Sequence, residues 1–417
     1  MKRLIFHVDV NSAFLSWEAV RRVRMGEEDP RTFPSAIGGD RETRSGVVLA
    51  KSIPAKKCGV KTGEPIAMAL RKCPELRIYK PDFSLYTKQS AAFIAVCKKY
   101  APVVEQYSID ECFMDMSGTE KLYGDPVDIA HKIRNEIRDQ LGFTVNIGIG
   151  SNKLLAKMAG DFEKPDKVHT LFTEEIPTKM WTLPVRDLLS VGSSTATHLE
   201  RAYVRTIGDL AHMDVDRLVA LFGNKMGNHL HRYANGLDDS PVVAEPEEAK
   251  GYSVSTTLAQ DVISLEEAGR VLLALTDSVT SRMRSDGVKS YCISVTIRDN
   301  RFKDRSHQKK LQEPTDITDD IFRTVLSLFE SLWDGKTPLR LLGVSLSEVV
   351  HEGEEQQLSF FSESEEKSKA RQVDKAVDEI RRRFGYDTIK RASVCNTGED
   401  VGKKYKARFD QEEKIQD

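Results

Sequence analysis

Aromatic residues make up only 7% of the 417-residue chain, so any stacking platform rests on few rings. Cysteine is sparse as well. The six thiols, at 58, 73, 97, 112, 292 and 395, form no CxxC pair and are irregularly spaced. That argues against a disulfide framework or a zinc ribbon and fits reduced thiols in a cytoplasmic protein. No apolar run approaches the length that spans a bilayer, so no membrane partner is expected. The opening MKRLIFHVDV is basic at its start, but His7 and Asp9 interrupt its apolar run, which predicts a first strand rather than a signal peptide. Charge of one sign is also lacking. With 62 Lys+Arg against 64 Asp+Glu the net charge is −2, and bulk charge announces no polyanionic partner. No repeat recurs at solenoid spacing.

What is present is a soluble, multidomain composition, 40% hydrophobic and 30% charged. At roughly 100–200 residues per domain, the length predicts about three or four units. Charge is unevenly distributed: residues 282–310 hold nine Lys/Arg against three Asp, and 351–367 hold six Glu and one Lys. The first 165 residues alternate strand and helix patterns around one sheet. RLIFHVDV is a strand, and NSAFLSWEAVRR a helix capped by Asn11 or Ser12. Residues 82–100 form an amphipathic helix, VVEQYSIDECFMDMS a hairpin, and FTVNIGIGS a strand before the helix NKLLAKMAGDF. Residues 183–211 read as two short helices around a turn at Gly192, with a further helix opening at Gly208-Asp209. After a Pro/Glu linker at 241–250 comes a second α/β unit. It has helices near 265–285 and 317–333, strands at YCISVTIRD and LRLLGVSLSEV, and a basic loop after the first of these strands. A polar, acidic segment and a terminal helix near 368–384 follow.

The chemistry concentrates in YSIDECFMDM, residues 107–116. Asp110 and Glu111 stand together in an otherwise apolar stretch, where ionised carboxylates are costly to bury. A hairpin bend resolves the conflict, because strict alternation of faces need not hold there. If the first strand lies beside this hairpin, Asp9 joins the pair at one sheet edge. Three carboxylates without His or Cys suit hard cations, Mg²⁺ or Mn²⁺ as a substitute. Two such ions about 3.5–4 Å apart would clamp a phosphoryl displacement. From the residues alone a second reading stays open, in which these acids form salt bridges and hairpin caps.

FHVDVNSAF, YSIDECFMD and GIGSNKLLAKMAGDFEKP occur in the order found in Y-family DNA polymerases, the translesion enzymes of the polymerase IV and UmuC type, and residues 1–350 resemble that family. The resemblance implies a multidomain α+β right hand: a ferredoxin-like palm at 1–12 and 77–165, small fingers at 13–76 and a helical thumb at 166–240. An α/β little finger at 251–350 and a tail at 351–417 complete it. It implies a template-directed DNA polymerase that adds a dNTP to a primer 3′-OH on primer-template DNA, with two metal ions and without proofreading. Asp9, Asp110 and Glu111 then carry the metals with the Val10 carbonyl, and Ser108 shapes the turn. Phe14 matches the steric gate against a ribose 2′-OH; by pattern alone it is a core Phe of an amphipathic helix. The amides of Asn11, Ser12, Ala13 and Phe14, with Lys56 and Lys164, are implied triphosphate contacts. Lys157 is a candidate for supporting the site, Lys153 reads equally as a solvated helix face or a functional residue, and Asp115 reads as structural.

The fingers depart from the family pattern. Where many relatives have Tyr and, three residues on, Arg, this chain has Ile53 and Lys56. Ile53 has no donor, and Lys56 keeps the charge without the bidentate fork. Either the triphosphate grip is altered, or Lys57 or Arg44 contributes. In the thumb hairpin the usual first glycine is Ser190, which leaves Gly192 to present amides to DNA phosphates. Arg298, Arg301, Lys303 and Arg305 are the little-finger candidates for salt-sensitive phosphate contacts. QQLSFF resembles the bacterial sliding-clamp peptide through Gln357, Leu358, Ser359, Phe360 and Phe361. The expected enzyme is a monomer. The rival reading is a clamp-tethered DNA-binding scaffold of the same fold with little or no synthesis.

Overall fold

The computed structural model describes residues 3–39, 46–245, 248–351 and 365–392. The chain divides into two compact units, one of residues 1–38 and 47–246, the other of 39–46 and 247–417. Among the described residues no helix is long and apolar enough to cross a membrane.

The first unit opens with β1 (Ile5–Val10), buried along its whole length. Helix α1 (Ala13–Arg24) follows after a two-residue turn. A smaller three-stranded sheet is built from β2 (Ser35–Gly38), β3 (Val48–Lys51) and β4 (Arg77–Tyr79), in the order β3-β2-β4. Helices α2 (Ile53–Lys57) and α3 (Ile66–Lys72) lie between β3 and β4 in sequence. Ala36, Val48, Ala55, Ile66 and Leu76 form the separate small core of this part. The chain then runs through α4 (Phe83–Lys98), the hairpin β5 (Val103–Gln106) and β6 (Glu111–Asp115), and α5 (Glu120–Tyr123). It continues into α6 (Pro126–Leu141), β7 (Val145–Gly150), α7 (Lys153–Gly160) and β8 (Val168–Leu171). The helix starts follow the sequence signals. Asp82 accepts from the Leu85 amide, Asp125 from Val127 and Asp128, and Asn152 from Leu155. Gly142 ends α6 in the left-handed conformation at φ 83°.

The main sheet has the order β5-β6-β1-β7-β8. Strand β1 is central and antiparallel to both neighbours, with Asp9 opposite Glu111 on one side and Asn146 on the other. Period-two alternation sorts its faces. Phe6, Val8 and Val10 enter the large core with Phe93, Ile133 and Ile137 from α4 and α6. Ile5, His7 and Asp9 take the other face, where Ile5 and Phe113 pack with Ala156 of α7. Close packing of α7 on β7 explains the glycines of GIGSNKLLAKMAG. A Cβ on Gly148 would lie 2.0 Å from the Ala156 carbonyl oxygen and 2.3 Å from the Gly160 nitrogen.

Beyond β8 the unit becomes helical: α8 (Ser193–Arg201), α9 (Ile207–Ala211) and α10 (Val215–Ala234) share a core of Leu199, Ile207, Leu210, Leu218 and Leu230. The expected first helix of the 183–211 pair is only a 3₁₀ turn at Val185–Asp187, and Gly192 is the N-cap of α8 rather than a link between helices. Ser190, where a glycine was expected by resemblance, sits at φ 76°, in the region that favours glycine.

The second unit has one antiparallel sheet of β9 (Gly251–Val262), β10 (Val288–Asp299), β11 (Asp304–Thr315) and β12 (Leu339–His351), ordered β11-β10-β12-β9. Helices α11 (Leu265–Ser285) and α12 (Thr318–Leu332) pack on the face carrying Ile293, Val295 and Ile297. Two strands differ from the sequence expectation. Strand β9 was not foreseen, and the basic loop after β10 is instead the edge strand β11. Strand β11 is mostly exposed, so its sequence carries no apolar alternation to read. The terminal helix α13 (Glu365–Phe384) docks on this unit through buried charges. Arg381 pairs with Asp277 at 2.8 Å, and Arg284 of α11 with Asp378 at 2.6 Å.

Candidate active site

The register of β1 and β6 builds the site. Asp9, on the last turn of the pleat, and Glu111, first residue of β6, are cross-strand partners on one face. Asp110 is the last residue of the bend, as expected. The Ser108 hydroxyl donates to Asp110 Oδ1 at 2.7 Å, and the Val10 amide donates to the Asp110 carbonyl at 3.0 Å. Adjacent acids therefore need not oppose each other across a strand, because only one of them belongs to it.

Each carboxylate is held by its own partner. Glu111 accepts from Lys157 Nζ at 2.7 Å, and His7 Nε2 lies 3.7 Å away. Burial opposes its charge, but His7 and Lys157 outweigh burial and bring the carboxyl down to about 2. Asp9 is 8% exposed. Burial holds its carboxyl above the usual range and the nearby Glu111 charge adds to this, while Lys164 partly offsets both. Lys164 donates to Asp9 and lies 2.8 Å from Asp161. Burial works against the Lys164 charge, yet these two carboxylates keep its ammonium above the ordinary range.

These acids fit a divalent cation. They are hard oxygen donors, and Asp9 is a buried carboxylate whose anionic form is disfavoured where it stands. Among the described residues, the one group of three candidate ligands whose donor atoms all lie within 4.8 Å is elsewhere, at Cys58, Cys73 and Glu75. That group suits a metal poorly. Burial, with Cys58 alongside, pushes the Cys73 thiol up to about 12, which keeps it protonated.

A cavity of about 570 Å³ opens over Asp9 and Asp110 and runs along the start of α1 to β3 and α2. Asn11, Ser12, Ala13 and Phe14 line it together with Lys56 and Lys164. Capping differs from expectation. Ser12 is the N-cap but sits in the left-handed region at φ 47°, with no side-chain bond to the helix. The Asn11 side chain instead ties β1 to its surroundings, accepting from Thr144 and the Asp166 amide and donating to Asn146. The Asn11 amide is also used, donating to Thr144 O. Phe14 stacks on Tyr86 with centroids 4.7 Å apart and also meets Trp17 and Phe83. Ile53 and Lys56 both reach the cavity. Sequence reasoning missed two of its cations, Arg31 and Lys51. Arg31 sits in a loop and carries no local signal, whereas Lys51 follows the buried Ala50 on β3. Lys57 is exposed outside the cavity lining, and Arg44 lies outside the described residues.

Lys153 binds Glu105 at 2.7 and 2.8 Å, and Asp115 accepts from the Ser117 amide, both structural placements. A Cβ at Gly192 would meet nothing within 4 Å, so the backbone there is open to approach. The little-finger candidates separate by face. Arg298 and Asp304 are cross-strand partners joined by two hydrogen bonds at 2.6 and 2.9 Å. Arg305 lies opposite Ile297 and reaches the Leu332 carbonyl on the helix side. Arg301 and Lys303 stand exposed at the β10–β11 turn, which Asp299 holds by accepting from both of their amides. The candidate clamp residues 357–361 lie outside the described residues.

Comparison with known proteins gives one consistent result. Residues 8–161 match the impB/mucB/samB family, 249–360 its C-terminal domain, and 186–238 the DNA polymerase-iota thumb domain. A DNA polymerase IV of Clostridium acetobutylicum is 44% identical over 403 residues, covering 96% of this chain and 100% of that protein. DNA polymerase IV 2 of Bacillus subtilis is 37% identical over 400 residues, 94% of each chain. A solved Y-family DNA polymerase chimera shares the fold with a TM-score of 0.73 at 22% identity, over 84% of this chain and 100% of that one.

Proposed function

The chain belongs to the impB/mucB/samB family, the Y-family DNA polymerases, and from that premise we propose that Asp9, Asp110 and Glu111 are its metal-binding carboxylates. It is a DNA-directed DNA polymerase of the translesion class that uses divalent metal ions, primer-template DNA and dNTPs. One observation carries the site assignment. Asp9, Asp110 and Lys164 line a cavity large enough for a nucleotide, and Glu111, next to Asp110, is the cross-strand partner of Asp9.

Two Mg²⁺ ions, with Mn²⁺ as a substitute, would be held by the three carboxylates and the Val10 carbonyl. When bound, they supply activation of the primer hydroxyl and stabilisation of charge on the α-phosphate. The protein's own residues do the rest. The Lys157 ammonium and His7 keep Glu111 ionised and oriented. Ser108 fixes the rotamer of Asp110. Lys164, held here by Asp9 and Asp161, would turn its ammonium to the triphosphate when a metal ion takes over the Asp9 charge. Phe14 forms the wall under the sugar. The amides at the start of α1, with Lys56, face the phosphates.

The domain limits follow the same reading: palm at 1–12 and 77–165, fingers at 13–76, thumb at 166–240 and little finger at 251–350. Gly192, Arg301 and Lys303 are the DNA contacts that the geometry supports best. Arg298 and Arg305 are already engaged within their own sheet. Primer extension with Mg²⁺ tests the site. Wild type extends and Asp110→Ala does not, although it folds and binds primer-template. Extension by Asp110→Ala at the wild-type rate would refute the assignment.

A further inference from the structure

Lys51 is the last residue of β3 and lines the cavity that holds Asp9, Asp110, Lys56 and Lys164. Its Nζ donates to Thr62 Oγ1 at 2.9 Å, which fixes the ammonium on the cavity wall. Among the described residues, neither Lys51 nor Lys56 has a carboxylate within ion-pair distance, although most buried or half-buried cations of this unit do. Both line the same cavity. Burial and then the Lys56 charge hold the Lys51 ammonium below its ordinary range. Lys51 is half-buried and Lys56 exposed, and Glu64 only partly offsets their repulsion; like charges gathered in this way at a cavity suit an anion site.

At Ile53 the same wall offers no hydrogen-bond donor. Ile53, 52% exposed at the mouth of α2, presents only methyl groups. Lys56 supplies a point charge without a planar fork. On the β3–α2 side of the cavity the polyanion therefore meets the Lys51 and Lys56 ammoniums.

We propose that Lys51 acts with Lys56 as a cationic clamp on the β- and γ-phosphates of the incoming nucleoside triphosphate, taking the place of the donor that Ile53 lacks. The proposal rests on the polymerase reading above. It makes nucleotide binding depend on charge more than on directional hydrogen bonds, so binding weakens as salt rises. The ammonium contacts phosphate and not the reacting atoms of the sugar or primer, so its contribution falls on nucleotide binding.

The test is single-nucleotide incorporation by the full chain on a primer-template with Mg²⁺, measuring KM and kcat for the dNTP. A charge-assisted contact in a solvent-accessible cleft predicts that Lys51→Gln raises KM by about five- to tenfold with kcat changed by less than about twofold. Lys51→Arg restores most of the wild-type KM. Binding of a deoxynucleoside diphosphate, measured as competitive inhibition, weakens less than triphosphate binding in Lys51→Gln. Lys51→Met, which keeps the side-chain length, repeats the result if the Gln variant melts early. An unchanged KM in a folded Lys51→Gln overturns the clamp while leaving the polymerase reading intact. An equal loss for primer-template and dNTP also overturns it. Absence of incorporation by wild type overturns the polymerase reading itself.

Discussion

Removing the Phe14 ring should relax sugar selection, and the packing behind the ring sets the size of the effect. Phe14 is half-buried and stacks on Tyr86 at 4.7 Å with an interplanar angle of 21°. Tyr86 and Trp17 behind it are fully buried. The ring cannot retreat from an added oxygen unless Tyr86 moves into a filled core. Forcing one extra heavy atom into such packing costs about 1–3 kcal/mol. If that cost is felt in the transition state, it corresponds to about 5- to 150-fold in kcat/KM. Phe14→Ala should therefore lower the ratio of dNTP to rNTP incorporation by about that factor. Truncating a half-buried ring costs about 2 kcal/mol of stability, about half the loss for a fully buried one. The assay is single-nucleotide incorporation of a deoxynucleotide and its ribose counterpart, with thermal unfolding as the control. Tyr86→Leu, which removes the backing and keeps the gate, should give a smaller shift in the same direction. A folded Phe14→Ala with the wild-type ratio would refute the steric reasoning.

Other consequences can be checked separately. Gly148→Ala should abolish soluble folding or lower stability by more than about 4 kcal/mol, since its Cβ would meet the Ala156 carbonyl at 2.0 Å; a normal melting curve would contradict the α7–β7 packing. Arg381→Met leaves Asp277 buried with the Tyr386 hydroxyl at 3.4 Å and Arg391 at 3.8 Å but without its close cation, and should destabilise α13 docking by about 3 kcal/mol. Limited proteolysis would then cut within 365–384, and wild-type resistance would count against that estimate. Arg301→Ala with Lys303→Ala should weaken primer-template binding and reduce the slope of log affinity against log salt by about 1–2; an unchanged slope removes both from the interface. Replacing Phe360 and Phe361 with Ala should end stimulation by a bacterial sliding clamp while leaving clamp-free extension intact; undiminished stimulation would rule out 357–361 as the clamp peptide.

The local motifs carried much of this site before any coordinates. Asp9 at a strand end and an acidic pair at a bend were legible because each depends on a few neighbouring residues, whereas Lys164 was named only through the family resemblance. The helix starts near Asp82 and Asn152 were legible for the same reason, since a cap is a contact across three residues. Strand β11 was not, because an exposed edge strand has no apolar alternation to betray it. The Ser12 cap was misjudged for a different reason. Its left-handed backbone and the use of Asn11 by Thr144, Asn146 and Asp166 are decided by strands distant in sequence.

By itself, then, the amino-acid order determined which acids are available, where the chain bends to present them and which family the motifs resemble. Only the tertiary structure decided that Asp9 and Glu111 share one face, because a shift of one residue in β-register would have turned one of them away. It also decided which cations reach the nucleotide cavity. Lys51 and Lys56 lie five residues apart on a strand and the following short helix, and no periodicity marks them as neighbours. Their sharing of one cavity with Asp9 and Phe14 depends on how β3 and α2 lie against β1 and α1, a relation between distant segments that one-dimensional spacing does not encode.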